Sequence, residues 1–330
     1  MQIQQSSWAG ALRRAGGAVA LAVVACTAHA QSYPSKPVTL IVPFPPGGAS
    51  DTQFRALANA AAKDLKQPFV VVNQPGVAGT MAPANMARSA APDGYTISVV
   101  FSSLFRLPHM QKVNYDPTQD FSYIAGISKF IYGLVVAADS PYKSATDLAA
   151  AAKAQPGQLN FGAISIGSSG HTALMRWARA ADFKPNFVPY KGTAEVMQAV
   201  LGHHVEAMTE ASWGPLVQQG RFQALMVFEE QRIKQFPQVP TAKELGWNVI
   251  ANAVVGLAGP KGMDPAIVKT LQDAFHKATS DPAFLKTLEM AGQSVAYLDS
   301  AEFTRLAHDL YRQEKRNIDD LKAAGVALTN

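Results

Sequence analysis

From Val38 onward, short β-branched runs alternate with stretches whose apolar residues recur every three to four positions. That alternation predicts an α/β chain with largely parallel sheets, because each strand must be followed by a helix that covers it. Val38–Val42 is the first strand-like run, and Phe54, Leu57, Ala58, Ala61 and Leu65 follow at helical spacing. Further strand-like runs lie at 69–72, 96–101, 159–164, 187–189, 205–208 and 222–228. Two longer apolar stretches, 122–138 and 248–258, read as strands passing between domains. The length of 330 residues favours two domains.

The first 30 residues stand apart. Arg13 and Arg14 precede an apolar run over 15–26, and Ala28-His29-Ala30 supplies a small-residue exit. This is the pattern of a secretory leader, 1–30, with Gln31 as the first mature residue. A rival is lipidation at Cys26, after the weak lipobox Val23-Val24-Ala25. Cys26 is the only cysteine, so the cleaved chain would hold no disulfide and no thiolate metal site. The net charge is +5, and loss of Arg13 and Arg14 leaves +3, which is no nucleic-acid footprint. The later apolar runs are too short for a transmembrane helix. The expectation is a soluble, exported monomer.

Four loops follow strand-like runs and lead into helix-like ones. The first is Pro43-Phe44-Pro45-Pro46-Gly47-Gly48-Ala49-Ser50-Asp51, with Ser50-x-x-Gln53 as a capping box. The second runs from Asn73 through Ala78, Gly79 and Thr80, with Thr80 as a cap. The third is Ser165-Ile166-Gly167-Ser168-Ser169-Gly170-His171, and the fourth is Tyr190-Lys191-Gly192-Thr193, with Thr193 as a cap. A glycine-rich turn at a helix N-terminus offers free N–H groups to an anion. No G-x-x-x-x-G-K-[ST] run occurs, which argues against a nucleotide phosphate.

Several single residues admit two readings. Asp51 either complements a helix dipole or touches a ligand, and His171 either donates to a ligand or to nearby backbone. Glu210 would repel an anion, so it orients a loop, meets a cationic group or is solvated. The enzymatic rival is Ala163-x-Ser165-x-Gly167, a nucleophile-elbow pattern whose first glycine is replaced. Asp182 and His203 or His204 are available as partners, yet their spacing selects none of them. His203-His204 is adjacent and lacks metal-ligand spacing. No catalytic residue, cofactor or metal is therefore predicted.

The order of motifs resembles that of the tripartite tricarboxylate transporter substrate-binding receptors, the Bug family. The landmarks are Tyr33-Pro34-Ser35-Lys36-Pro37 leading to Pro43-Phe44, Gly47-Gly48 and Asp51, then Asn73-Gln74-Pro75-Gly76 with Ala78-Gly79. Ala91-Pro92-Asp93-Gly94-Tyr95-Thr96, Tyr115-Asp116-Pro117 and Asp120-Phe121 come next. Gly167-Ser168 with His171, Val188-Pro189-Tyr190-Lys191-Gly192, Pro237-x-Val239-Pro240-Thr241 and 256–262 complete the set.

The resemblance implies a periplasmic binding protein of the Venus-flytrap type: two α/β domains with a ligand cleft between them. Residues 31–130 with 255–330 would form the first domain and 131–254 the second. It implies a receptor that binds a small carboxylate through loop backbone and water and hands it to membrane transporter subunits. A ligand sensor for a signalling partner is the alternative. Ligand contacts would come from Phe44, Gly47, Gly48, Asp51, Asn73, Ala78, Gly79, Thr80, Phe101, Ser102 and Ser103 in the first domain. The second would give Ser165, Ser168, Ser169, His171, Tyr190, Lys191, Gly192, Thr193, Glu210 and Trp213. This chain departs from the family with Leu104-Phe105-Arg106 in place of a Thr-His pair, and Thr209-Glu210 in place of Phe-Asp. Phe44, Phe101, Phe105 and Trp213 suggest a ligand with an apolar or aromatic body, or else belong to the core. The far end of a dicarboxylate would meet Arg106 or Lys191.

Overall fold

The structure, a computed structural model, describes residues 33–251, 253–323, 325, 326 and 328. The leader lies outside the described residues. The chain from Lys36 onward forms one unit, and Tyr33, Pro34 and Ser35 belong to the unit before it.

The first half lays down β1 (Val38–Val42), α1 (Ala49–Leu65), β2 (Phe69–Asn73), α2 (Met81–Ser89), β3 (Thr96–Val100), α3 (Ser103–Met110) and β4 (Phe121–Lys129). The middle holds β5 (Gly133–Ala137), α4 (Ala145–Ala154), β6 (Asn160–Ile164), α5 (Ser169–Ala180), β7 (Asn186–Tyr190), α6 (Thr193–Leu201), β8 (Ala207–Glu210), α7 (Gly214–Gln218) and β9 (Phe222–Val227). The chain ends with β10 (Val254–Pro260), α8 (Pro265–Ala278), α9 (Pro282–Met290), β11 (Ser294–Leu298) and α10 (Ser300–Ala323). The short elements α7, α9 and β11 carried no periodic signal long enough to announce them.

Two sheets result. One has the order β11-β4-β10-β3-β1-β2, the other β7-β6-β8-β5-β9. Each begins as a parallel βαβ arrangement: β1 pairs parallel with β2 and β3, and β6 pairs parallel with β7 and β8. The expectation of largely parallel sheets is corrected for the rest. β10 runs antiparallel to β3 and β4, and β5 runs antiparallel to β8 and β9. The physical reason lies in the two crossings between sheets. A strand that carries the chain out of one sheet and a strand that brings it back run in opposite senses.

The crossings are bonded to each other. Phe130 N–H donates to the Ala253 carbonyl at 3.1 Å, and Phe228 N–H donates to the Tyr132 carbonyl at 2.9 Å. Lys129 and Glu229 form an ion pair beside them. The apolar stretch 122–138 thus holds the first passage, with 130–132 between β4 and β5, and 248–258 holds the end of the second, which leads into β10.

The buried face of α10 explains its length and position. Phe303, Ala307, Leu310, Glu314, Ile318 and Leu321 recur at helical spacing and are buried. Phe303 packs with Phe105 and Tyr123 in the core beneath the first sheet. Glu314 is the one charged member of this stripe. It is 2% exposed and receives Arg106 of α3, with Nε at 2.9 Å and Nη2 at 2.7 Å. Arg106 Nη1 also donates to the Gly167 carbonyl at 2.9 Å, in the loop after β6. Among the described residues, no helix is long and apolar enough to cross a membrane.

Removing one partner of a buried, bidentate pair leaves the other charge uncompensated, at a cost of about 3–5 kcal/mol. Glu314→Ala should lower the unfolding free energy by that order in urea titrations. A loss under about 1 kcal/mol would show that water or another side chain replaces the carboxylate.

Candidate ligand-binding site

The sequence feature that builds the site is a glycine immediately before a helix. α1 begins after Gly48 and α6 begins after Gly192, and neither glycine supplies a side-chain cap. The helices start earlier than Ser50 and Thr193 suggested, so those residues lie inside the first turn rather than capping it. By contrast, Ser144, Ser168, Asp264 and Asp281 cap α4, α5, α8 and α9 with side-chain oxygens. The first N–H groups of a helix have no partner within it. At α1 and α6 they stay available to something outside the chain.

The same device stiffens both turns. Asp51, in the first turn of α1, accepts from the Gly47 N–H at 2.9 Å. Glu195, in the first turn of α6, accepts from the Lys191 N–H at 3.1 Å. Each acid reaches back four residues and fixes the loop, leaving the next N–H groups free. Gly47 has φ +76°, a left-handed conformation that glycine adopts without steric cost.

Asp51 is itself held by Arg55 Nε at 2.8 Å and Asn73 Nδ2 at 2.9 Å. Burial pushes its pKa up. The hydrogen bonds from Arg55, Gly47 and Asn73, with the charge of Arg55, outweigh that and hold it below the usual value. Asn73 also donates to the Phe44 carbonyl at 3.0 Å. Asp51 and Asn73 therefore shape the turn from behind.

These turns border one cavity of about 180 Å³. Gly48, Ala49 and Ser50 come from the start of α1, and Gly192, Thr193, Ala194 and Glu195 from the start of α6. The loops approach closely: a Cβ on Gly192 would stand 3.6 Å from Pro45 Cγ. Phe44, Phe101, Phe130 and Tyr132 supply the aromatic wall, and Ile164, Glu210 and Ala211 complete it with Pro45 and Pro46. Phe44 and Phe101 meet edge to face at 4.9 Å, and Phe101 and Phe130 lie 5.7 Å apart at 59°.

Of the residues singled out from sequence, Phe44, Gly48, Phe101, Gly192, Thr193 and Glu210 come together on this wall. The others do not line it. Thr80 Oγ donates to the Val77 carbonyl, and Ser103 Oγ to the Ala78 carbonyl. Gly79, at φ +82°, lies so near Phe44 that a Cβ would come within 2.8 Å of the ring. Ser102 is buried beside Val254, and its hydroxyl points to that carbonyl at 3.5 Å.

The third loop packs onto α3 instead of the cavity. Ser168 caps α5 by accepting from the His171 N–H, and Ser169 hydrogen-bonds Tyr132. His171 is buried against Phe187, and burial with the nearby Arg106 charge brings its pKa down to about 4. Its neutral Nδ1 accepts from the Gly167 N–H at 3.3 Å. Tyr190 gives its carbonyl to Ser165 N–H, and Lys191 is exposed.

Arg106, expected at the far end of a ligand, has its fork committed to Glu314 and Gly167. Phe105 is 1% exposed in the core, and Trp213 is packed against Phe236 at 5.0 Å. Sequence reasoning passed over Phe130 and Tyr132 because they sat inside a long apolar stretch. The signal was two aromatics bracketing Ile131 just before Gly133, where strand alternation fails.

The elbow reading of Ser165 finds no support in its neighbours. Among the described residues its hydroxyl shares no hydrogen bond with a histidine. His203 faces Asp139 at 3.4 Å, and Asp182 binds Lys153 at 2.6 Å. No group of three or more metal-ligating side chains occurs among the described residues.

Glu210 is 1% exposed, and burial raises its pKa to about 8 against the N–H groups of Ile164 and Ala211 that favour its charge. A folded pKa above the free value of 4.5 means that the folded chain binds the proton more tightly. The stability so gained is full below the free value and is lost as pH rises through about 8. Unfolding free energy of the ligand-free protein should fall over that range, and Glu210→Gln should flatten the fall. Identical profiles for both proteins would place the titration elsewhere.

Comparison with known proteins bears on this geometry. Residues 53–323 match the family described as tripartite tricarboxylate transporter family receptor, TctC. A UPF0065 protein from the gbd 5' region of Cupriavidus necator is 39% identical over 311 residues, covering 94% of this chain and 95% of that protein. The periplasmic binding protein BugD superposes with a TM-score of 0.83 at 25% identity, covering 88% of this chain and 99% of BugD. MatC from Rhodopseudomonas palustris, solved with bound malate, superposes with a TM-score of 0.80 at 26% identity, covering 87% and 100%. The two-sheet α/β architecture is that of these periplasmic binding proteins, and the chain belongs to the tripartite tricarboxylate transporter (Bug) receptor family.

Proposed function

We propose that this protein is a periplasmic receptor that binds a small carboxylate in the cavity at the starts of α1 and α6 and delivers it to the membrane subunits of a tripartite transporter. The observation that carries the reading is the convergence of two uncapped helix N-termini on one small cavity. Each presents unpaired N–H groups and the positive end of a helix dipole. The malate bound by MatC is a ligand of this chemistry.

The reading assigns 31–130 with 255–330 to one lobe and 131–254 to the other. It is supported by the change of sheet between Lys129 and Gly133 and again between Val227 and Val254. α1 belongs to the first lobe and α6 to the second, so a carboxylate bridging their N-termini favours the closed arrangement. A ligand shifts such an equilibrium only by its preference for one state. The leader reading of 1–30 supplies the route to the periplasm.

Proline at the first helical position keeps a helix intact while deleting one N–H. Gly48 and Gly192, the residues that would precede it, are already extended, as proline requires. Ala49→Pro and Thr193→Pro should each weaken carboxylate binding about tenfold or more, since a hydrogen bond to a charged group contributes about 1.5–3 kcal/mol. Melting temperatures without ligand should stay close to the parent value. Unchanged affinity in both variants, measured by calorimetry with the carboxylate that most raises the melting temperature, would remove the helix N-termini from the site.

A further inference from the structure

The carboxylate reading accounts for one pole of the cavity and leaves the other unexplained. The wall carries two carboxyl groups, Glu195 and Glu210, and no lysine or arginine among the described residues. Glu195 lies on the exposed rim, with Oε2 turned to the Lys191 N–H. Glu210 is buried. Its Oε1 accepts from the Ile164 N–H at 2.8 Å, and the Ala211 N–H also bonds to it. Both partners are uncharged, and no ion pair to Glu210 occurs among the described residues.

The charged and titratable groups near Glu210 offer it no cation among the described residues. Arg106 is held by Glu314 and the Gly167 carbonyl. His171, on α5, stays uncharged because burial lowers its pKa to about 4. Tyr132, from the first crossing, is held neutral as burial raises its pKa. A purely anionic dicarboxylate would therefore bring a second negative charge to a wall that has no cation to receive it.

The rest of that wall is aromatic. Phe44, Phe101, Phe130 and Tyr132 line it, and the Phe44–Phe101 and Phe101–Phe130 pairs are edge-on and tilted rather than stacked. Rings in several planes offer π faces from more than one side. A buried carboxyl group combined with aromatic faces is a setting for a cation, particularly one with little hydration.

We propose that the ligand is a small ammonium carboxylate, with its carboxylate at the N-termini of α1 and α6 and its cationic nitrogen against Glu210 and the aromatic wall. The proposal rests on the carboxylate reading and adds a required positive charge. In the empty cavity Glu210 is mostly protonated at pH 7, with its pKa near 8. A cation at Glu210 favours the ionised form, so binding near pH 7 releases a proton to the buffer.

Isosteric pairs test this by titration calorimetry at pH 7 on the purified protein. Glycine betaine is compared with 3,3-dimethylbutyrate, γ-aminobutyrate with valerate, and proline with cyclopentanecarboxylate. The zwitterion should bind at least tenfold tighter in one pair or more, with an enthalpy that varies with the ionisation heat of the buffer. Glu210→Gln should reduce that preference about tenfold and abolish the proton release. Phe101→Leu serves as a second variant should Glu210→Gln not fold, and it should weaken the zwitterion more than its isostere without the ammonium.

Equal or tighter binding of the isostere that lacks the ammonium in every pair overturns the proposal, while the carboxylate reading stands. An unchanged preference in the folded variants, or no binding by any zwitterion, also overturns it. Choline binding as tightly as glycine betaine would instead count against the carboxylate reading, because choline offers the cation alone.

Discussion

The buried Arg106–Glu314 pair fixes the frame on which the cavity stands. Desolvating two charges is costly, and good geometry with further hydrogen bonds is what offsets it. Here the guanidinium meets the carboxylate through Nε and Nη2, and its remaining edge reaches the Gly167 carbonyl. The contact thus joins α3, α10 and the loop after β6. That loop starts α5 with Ser168 as cap, and α5 leads on to Gly170, whose carbonyl accepts from Thr209 Oγ at 3.0 Å. Glu210 is the next residue. Its position on the cavity wall is therefore downstream of a contact made on the far side of α5.

The two helices that open on the cavity lack a side-chain cap, as α2, α3 and α7 also do, whereas four others carry one. At α4, α5, α8 and α9 a serine or aspartate oxygen satisfies an early N–H. At α1 and α6 a glycine stands in that place, and the acid three residues later bonds one position too far back to satisfy the first turn. Asp51 takes the Gly47 N–H, and Glu195 takes the Lys191 N–H. The loop is held, and the donors that follow are not consumed. A cap at Gly48 or Gly192 would stabilise the helix by about 0.5–2 kcal/mol. Its absence at both sites facing the cavity is consistent with donors kept for a ligand.

Much of this was legible in the sequence because it rests on local rules. Alternating strand and helix patterns located most of the elements, and the long stretches 122–138 and 248–258 marked the passages between sheets. The glycine-rich turns were found for the same reason, since glycine before a helix has a local meaning. Strand direction was not legible, because it depends on how the chain crosses between sheets and not on any residue in the strand. The fate of Arg106 was hidden in a similar way. Its partner lies 208 residues away, and the only sequence signal was an acid at Glu314 on an otherwise apolar helical stripe. The four loops looked equivalent because their compositions are alike, although Ser168 already satisfies the first turn of α5 and Gly192 leaves that of α6 open.

The charge of the cavity follows from the same pairing. Arg106 lies near enough to lower the pKa of His171 and to act on Tyr132, so it contributes positive potential behind the aromatic wall. Glu314 takes up its fork, and that keeps the guanidinium out of the cavity and away from Glu210. As folded, the donor groups of α1 and α6 and the carboxyl of Glu210, which keeps its proton until a cation displaces it, belong to one small volume. On the proposed reading, a solute that carries both signs at a short separation pairs with the donors of α1 and α6 at one end and displaces the Glu210 proton at the other.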